Sequence, residues 1–202
     1  MANVLEKVAQ YTVESRKVFK KRSYTMRKFI KDIATAMRNL SRFKDINREK
    51  RIDPRFGERI MMATTAVNGC RYCSWFHTEM ALKSGCSKKE IQEILERDFG
   101  SCDENEVLAL AFAQHYAETG GKPSRGAIEK LIEFYGVETA KDIMVHIYFI
   151  TVGNLTGNTI DAFKSRLDGF VVKDGSILFE LLVFLIGYPF MRMMENKYEK
   201  RE

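Results

Sequence analysis

The 202-residue chain is poor in proline and in histidine, with three of each, and has no stretch of sustained period-two alternation. Scarce proline beside 45% hydrophobic residues excludes a disordered polypeptide, because such a chain can bury enough apolar surface to offset the entropy of ordering. The missing alternation excludes a half-solvated sheet and leaves an all-α fold. No internal repeat stands out, and no apolar run reaches the roughly 20 residues of a bilayer span. The nearest approach, Ile177 to Met191, carries Glu180 and is interrupted by Gly187 and Pro189. The first ten residues lack the apolar core of a secretory signal, which makes the cytoplasm the expected compartment. There the four cysteines are expected as reduced, reactive or buried thiols, not as a disulfide framework. A four-ligand zinc site is poorly supported too, since Cys86 and Cys102 have no matching spacing with a His. The sequence calls for no metal and no cofactor.

What is present centres on Glu58, Cys70, Cys73 and His77. A helix turns about 100° per residue, so Cys70, Cys73 and His77, at i, i+3 and i+7, fall within an arc of about 60°. Two thiols one turn apart can close a disulfide, and an imidazole one turn further on can take the proton from Cys73. On one unbroken helix Glu58 would stand roughly 18 Å from Cys70, so the chain must fold back between them. Asn68-Gly69 offers the turn, because both residues accept the left-handed conformation that ends a helix. Asp53 and Pro54 read as N-cap and first residue of the incoming helix, with Phe56, Ile60, Ala63 and Val67 as its apolar stripe. Cys70 opens the outgoing helix and Gly85 closes it. In such a hairpin Glu58 and His77 lie nearly level, and a carboxylate beside an imidazole fixes its tautomer and raises its basicity. The pattern is that of a thiol redox site. Trp75 and Phe76 are expected as wall and core, and Cys86, Cys102, His115 and His146 as structural residues.

The block Glu58, Cys70-x-x-Cys73 and then His77 resembles the AhpD-like alkylhydroperoxidase branch of the carboxymuconolactone decarboxylase family, sharply over about residues 54 to 95 and in general character to about residue 167. The resemblance implies an AhpD-like helical domain with a redox hairpin and a thiol-dependent peroxidase with Glu58 and His77 as proton relay. It also implies a lipoyl-bearing protein as reductant and a homo-oligomer, trimeric or larger. Some members carry a second His between the cysteines, where this chain has Tyr72. On this reading His77 draws the proton from Cys73, Cys73 attacks the peroxide, Cys70 resolves the sulfenic acid, and an external dithiol resets the pair. Two other readings stand beside it. One is a disulfide reductase or thiol carrier using the same pair without peroxide. The other is a non-catalytic membrane-surface or scaffold protein. The decarboxylation that names the wider family is disfavoured, because nothing in it calls for two vicinal cysteines.

Charge and pattern divide the chain into basic amphipathic helices over 1–52, the redox domain over 53–168, and an apolar helix with a charged tail over 169–202. Residues 16–51 hold fourteen Lys or Arg against three acids, a net +11 that leaves −5 for the rest of the +6 chain. This asymmetry suits an anionic membrane surface, with the protein peripheral to it, or a solvated face answered by acids elsewhere in the fold. Nucleic acid is not an expected partner. Val4, Leu5, Val8 and Tyr11, then Val18 and Phe19, suggest a first helix, and Met26 through Leu40 a second. Ser87-x-x-Glu90 and Asp103-x-x-Glu106 have the form of capping boxes. Ser124 caps a further helix ending at Gly136, and a long one runs from about Glu138 to Leu167, weakened by Gly153 and Gly157. The segment from Ile177 to Met191 is expected to bury itself, most simply against another subunit.

Overall fold

The computed structural model describes residues 17–199, and among these the chain forms eight helices and no strand. They are α1 (Met26–Arg38), α2 (Leu40–Glu49), α3 (Pro54–Asn68), α4 (Arg71–Lys83), α5 (Lys88–Leu95), α6 (Glu104–Glu118), α7 (Arg125–Leu167) and α8 (Ile177–Glu199). Their boundaries follow local chemistry. Asp53 accepts the Arg55 and Phe56 N–H groups with Pro54 in the first turn, and Ser87 and Glu90 close a reciprocal capping box. Ser124 caps α7, which leaves helical geometry once, at Gly136 (φ 76°, ψ 162°), where only glycine is at ease.

α7 lies against α1, α2, α3, α4, α6 and α8. One apolar cluster fills the space among α3, α5, α6 and α7 around Ile60, Met62, Leu110 and Ile143. A second lies under α4 and α8 around Tyr24, Ile150, Ile160 and Phe179, and it includes both Cys70 and Cys73. The first cluster is crossed by a fully buried guanidinium. Arg59 of α3 donates to Glu90 of α5, to Glu106 of α6 and to Asp103 at 3.0 Å. Burial alone would raise the Glu90 carboxyl, but hydrogen bonds from Ser87 and the guanidinia of Arg55 and Arg59 override it and hold its pKa at about 2.

Four sequence expectations are corrected. Val18 and Phe19 are extended, not helical: Val18 makes an isolated parallel bridge with Val171, and Phe19 N–H donates to the Val171 carbonyl at 3.0 Å. Residues 4–11 of that expected helix lie outside the described residues. Asp103 is the N-cap of α6 but makes no capping bond, because its carboxylate goes to Arg59. Gly153 and Gly157 leave α7 unbroken. Gly187 and Pro189 likewise leave α8 helical. Gly187 serves close packing, since a Cβ there would come within 2.6 Å of Ile160 Cδ1.

Much of the charge over 16–51 is answered inside the fold. Asp142, buried on α7, accepts from Arg42 at 2.6 Å and Arg51 at 2.9 Å, while Asp161 takes Lys21 and Asp32 takes Lys28. No described helix is long and apolar enough to cross a membrane. α8 turns Phe179, Glu180 and Val183 inward and leaves Leu178, Leu182, Leu185 and Ile186 exposed. Its seat is electrostatic as well as apolar: Glu180, fully buried, receives the Arg166 guanidinium through two bonds of 2.6 and 3.1 Å. Glu180→Ala removes that acceptor, leaves Arg166, still partly exposed, with the Val172 and Gly175 carbonyls, and should cost about 1–3 kcal/mol in denaturant unfolding. A loss below about 1 kcal/mol would show that α8 is held by its apolar contacts alone.

Candidate redox site

The site forms where α3 turns into α4. Gly69 stands at φ 67°, in the left-handed region, and donates its N–H to the Thr65 carbonyl at 2.8 Å. Gly69 itself is exposed, but the Asn68 before it is buried and must find partners for its polar groups, and α7 supplies them from two asparagines one helical turn apart. Asn154 Oδ1 accepts from the Asn68 amide at 3.1 Å, and its own amide donates to Thr65 Oγ1 at 3.0 Å. Asn158 donates to the Asn68 carbonyl at 2.8 Å.

Cys70 is the N-cap of α4, with extended backbone (φ −77°, ψ 106°). Its sulfur accepts the Cys73 N–H at 3.3 Å and lies 2.8 Å from Cys73 Sγ. A disulfide spans about 2.05 Å, so bond closure asks for a movement of less than about 1 Å. All four cysteines are free thiols; Cys70 is fully buried and Cys73 is 9% exposed. The hydrogen bond from the Cys73 thiol, joined by the Cys73 N–H, pulls the Cys70 thiol below its usual range against the effect of burial. The Cys73 thiol moves the other way, raised well above its usual range by giving its proton to Cys70 and by burial. Of the two thiols, Cys70 is therefore the stronger acid.

His77 Nδ1 lies 2.7 Å from Glu58 Oε2 across the hairpin, with the side chains 13% and 14% exposed. A carboxylate at that distance accepts a hydrogen bond from Nδ1–H and so leaves Nε2 free to accept a proton. A cavity of about 480 Å³ opens beside them, lined by Cys73, His77, Phe43, Met61, Phe76 and Phe149 among others. α7 borders it at Gly153, where a Cβ would stand in ordinary contact with Cys73 Sγ, at 3.7 Å. Cys70 is not part of this lining, although the helical spacing puts it on the same face as Cys73 and His77. The reason is its capping role, which takes it off the helical cylinder.

The hairpin thus brings Glu58 to His77 and Cys70 to Cys73, and it sets Cys73 and His77 in one cavity. Tyr72, at the position of the second His of some relatives, donates its hydroxyl to Asp161 at 3.0 Å. Asp161 also takes Arg71 and Lys21, and its charge opposes ionisation of Cys70. Trp75 packs on the second apolar cluster and Phe76 walls the cavity. His146 is buried, donates Nδ1–H to the Asp142 carbonyl, and is lowered by burial. His115 accepts the Ser124 N–H. Burial raises the Cys86 thiol and pushes Cys102 up to about 11. No group of three or more candidate metal ligands occurs among the described residues. The asparagines of α7 and Asp161 escape the sequence reading, although polar residues at 154, 158 and 161 on an otherwise apolar helix are the signal that marks them.

A model of the carboxymuconolactone decarboxylase family matches residues 34–115, a stretch that holds Glu58, Cys70, Cys73 and His77. No curated protein and no solved structure matches the chain.

The electrostatics carry a pH prediction. Because Cys70 is a stronger acid in the fold than in the unfolded chain, its ionisation favours the fold above the ordinary thiol pKa. That contribution is lost as pH falls through the folded value. Cys73→Ala removes the thiol donor and keeps the N–H, so the Cys70 titration, followed by thiolate absorbance, should move to higher pH. An unmoved titration would deny the thiol any part in it.

Proposed function

We propose that the protein is a thiol-dependent peroxidase of the AhpD-like kind within the carboxymuconolactone decarboxylase family. The observation that carries this reading is the pair of sulfurs 2.8 Å apart of which one, Cys73, faces an apolar cavity beside a carboxylate-oriented histidine. Cys70 is the stronger acid of the pair, and Cys73 carries the proton of their hydrogen bond. His77 Nε2 takes that proton, and the Cys73 thiolate attacks a peroxide oxygen. The O–O bond breaks with its electron pair on the leaving oxygen, which receives the proton back from His77 and departs as alcohol or water. Cys73 is left as sulfenic acid. The Cys70 thiolate then attacks that sulfur, hydroxide leaves as water with one proton, and the pair has lost two electrons as a disulfide. An external dithiol returns them by exchange. The family resemblance makes a lipoyl-bearing protein that dithiol and a homo-oligomer the working form.

A second reading, disulfide reductase or thiol carrier, is favoured by the lowered pKa of Cys70 at a helix N-terminus. Against it, Cys70 is fully buried and a partner disulfide must reach sulfur. Peroxide consumption under an excess of dithiol separates the two.

Cys73→Ser should abolish peroxide consumption, while Cys70→Ser should complete one turnover and stop at a trappable sulfenic acid. His77→Ala should slow the oxidation step by roughly 10²–10⁴-fold, and Glu58→Gln by less. Sulfenic acid trapped on Cys70 in the Cys73→Ser protein, with none on Cys73 in the converse variant, would reverse the assignment.

A further inference from the structure

α7 has a second working face. Ile150, Gly153 and Thr156 look into the redox cavity, whereas Met144, Tyr148 and Thr151, one helical turn apart, floor a separate crevice of about 710 Å³ under α1 and the Gly120–Pro123 loop. That volume is within the range of sites for small organic ligands.

Thr151 is the odd member of its class. The buried helical threonines are Thr64, Thr65, Thr151 and Thr159. Three of them donate their hydroxyls to the carbonyl four residues back, at 2.6 to 3.0 Å. Thr151, 7% exposed, makes no such bond, and its Oγ1 has no partner. A buried hydroxyl left unpaired costs about 1–3 kcal/mol, and a bound ligand would remove that cost.

The rim supplies charge of one sign. Arg27, Lys28, Lys31 and Lys122 line the crevice against a single acid, Asp32. Asp32 is already engaged, by Lys28 at 2.9 Å and by the Tyr24 hydroxyl at 3.1 Å. Among the described residues Arg27, Lys31 and Lys122 have no acidic partner, unlike Arg42, Arg51, Lys21 and Lys28 of the same basic region. The walls are aromatic: Tyr116 and Tyr148 meet edge to face at 6.0 Å, and burial raises both phenols so that they remain hydroxyl donors.

We propose that this crevice binds a soluble organic anion, an apolar body carrying a phosphate or carboxylate. The anionic group lies among Lys31, Lys122 and Arg27, the body lies against Tyr116 and Tyr148, and Thr151 hydrogen-bonds the ligand from the floor. Cations alone would take any anion; the buried hydroxyl and the tyrosine walls select one with an organic body. The site is independent of the redox reading, and its named residues all fall outside 34–115.

The test is calorimetric titration of the full chain with phenyl phosphate, inorganic phosphate and phenol. Phenyl phosphate should bind saturably, at one site per chain, more tightly than either fragment. Thr151→Val and the double variant Lys31→Gln/Lys122→Gln should each weaken it by about tenfold, with melting temperatures at or above that of the parent for Thr151→Val. Equal binding of inorganic phosphate, with no effect of Thr151→Val, would reduce the crevice to a patch of charge and overturn the proposal. Absence of saturable binding would do the same. Competition by phosphatidylserine vesicles would place the ligand on a membrane and overturn a soluble one.

Discussion

The geometry of the candidate redox site depends on a single left-handed residue. With Gly69 at φ 67°, α3 ends and α4 begins within two residues, and three consequences follow from the reversal alone. Cys70 becomes an N-cap whose sulfur is offered to both the Cys73 thiol and the Cys73 N–H, which together lower its thiol pKa. Glu58 and His77, nineteen residues apart, come level across the hairpin at 2.7 Å. And Asn68, beside the exposed Gly69, is buried, so α7 carries Asn154 and Asn158 to meet its side-chain amide and its carbonyl. Each asparagine is buried polarity that holds the turn in place.

Charge and access are divided between the two thiols. Cys70 is the better acid and is sealed; Cys73 holds the proton and is the one that borders the cavity. On the proposed mechanism, the sulfur at the cavity becomes a nucleophile when His77 removes its proton, while the sealed one waits to resolve it. Rigid support comes from elsewhere: the Arg59 cluster ties α3 to α5 and α6.

The helical class, the hairpin and the meeting of Glu58 with His77 were legible because they rest on local signals: Pro54, Asn68-Gly69, and spacing measured in helical turns. Helix boundaries with a cap of their own, at Asp53, Ser87 and Ser124, were legible for the same reason. What could not be read was decided by partners distant in sequence. Asp103 has the form of a capping residue, yet a buried guanidinium outbids the backbone for its carboxylate. Val18 and Phe19 have a helical pattern, yet pair with Val171. Cys70 has the spacing of a residue on the cavity face, yet a cap lies off the helical cylinder, and no periodicity argument contains that fact. The acids that answer part of the basic N-terminal region, Asp142 and Asp161, are about a hundred residues away or more, so composition showed an asymmetry that the fold offsets in part.

The central claim is that Cys70 and Cys73 form one redox unit driven by an oxidant that enters beside His77. The most direct measurement is mass spectrometry of the reduced protein before and after brief exposure to a stoichiometric organic hydroperoxide, with peptide mapping of the product. The account predicts a loss of two hydrogens, mapped to a Cys70–Cys73 disulfide, with Cys86 and Cys102 still free. Oxygen added to Cys86 or Cys102 while Cys70 and Cys73 remain reduced would contradict it.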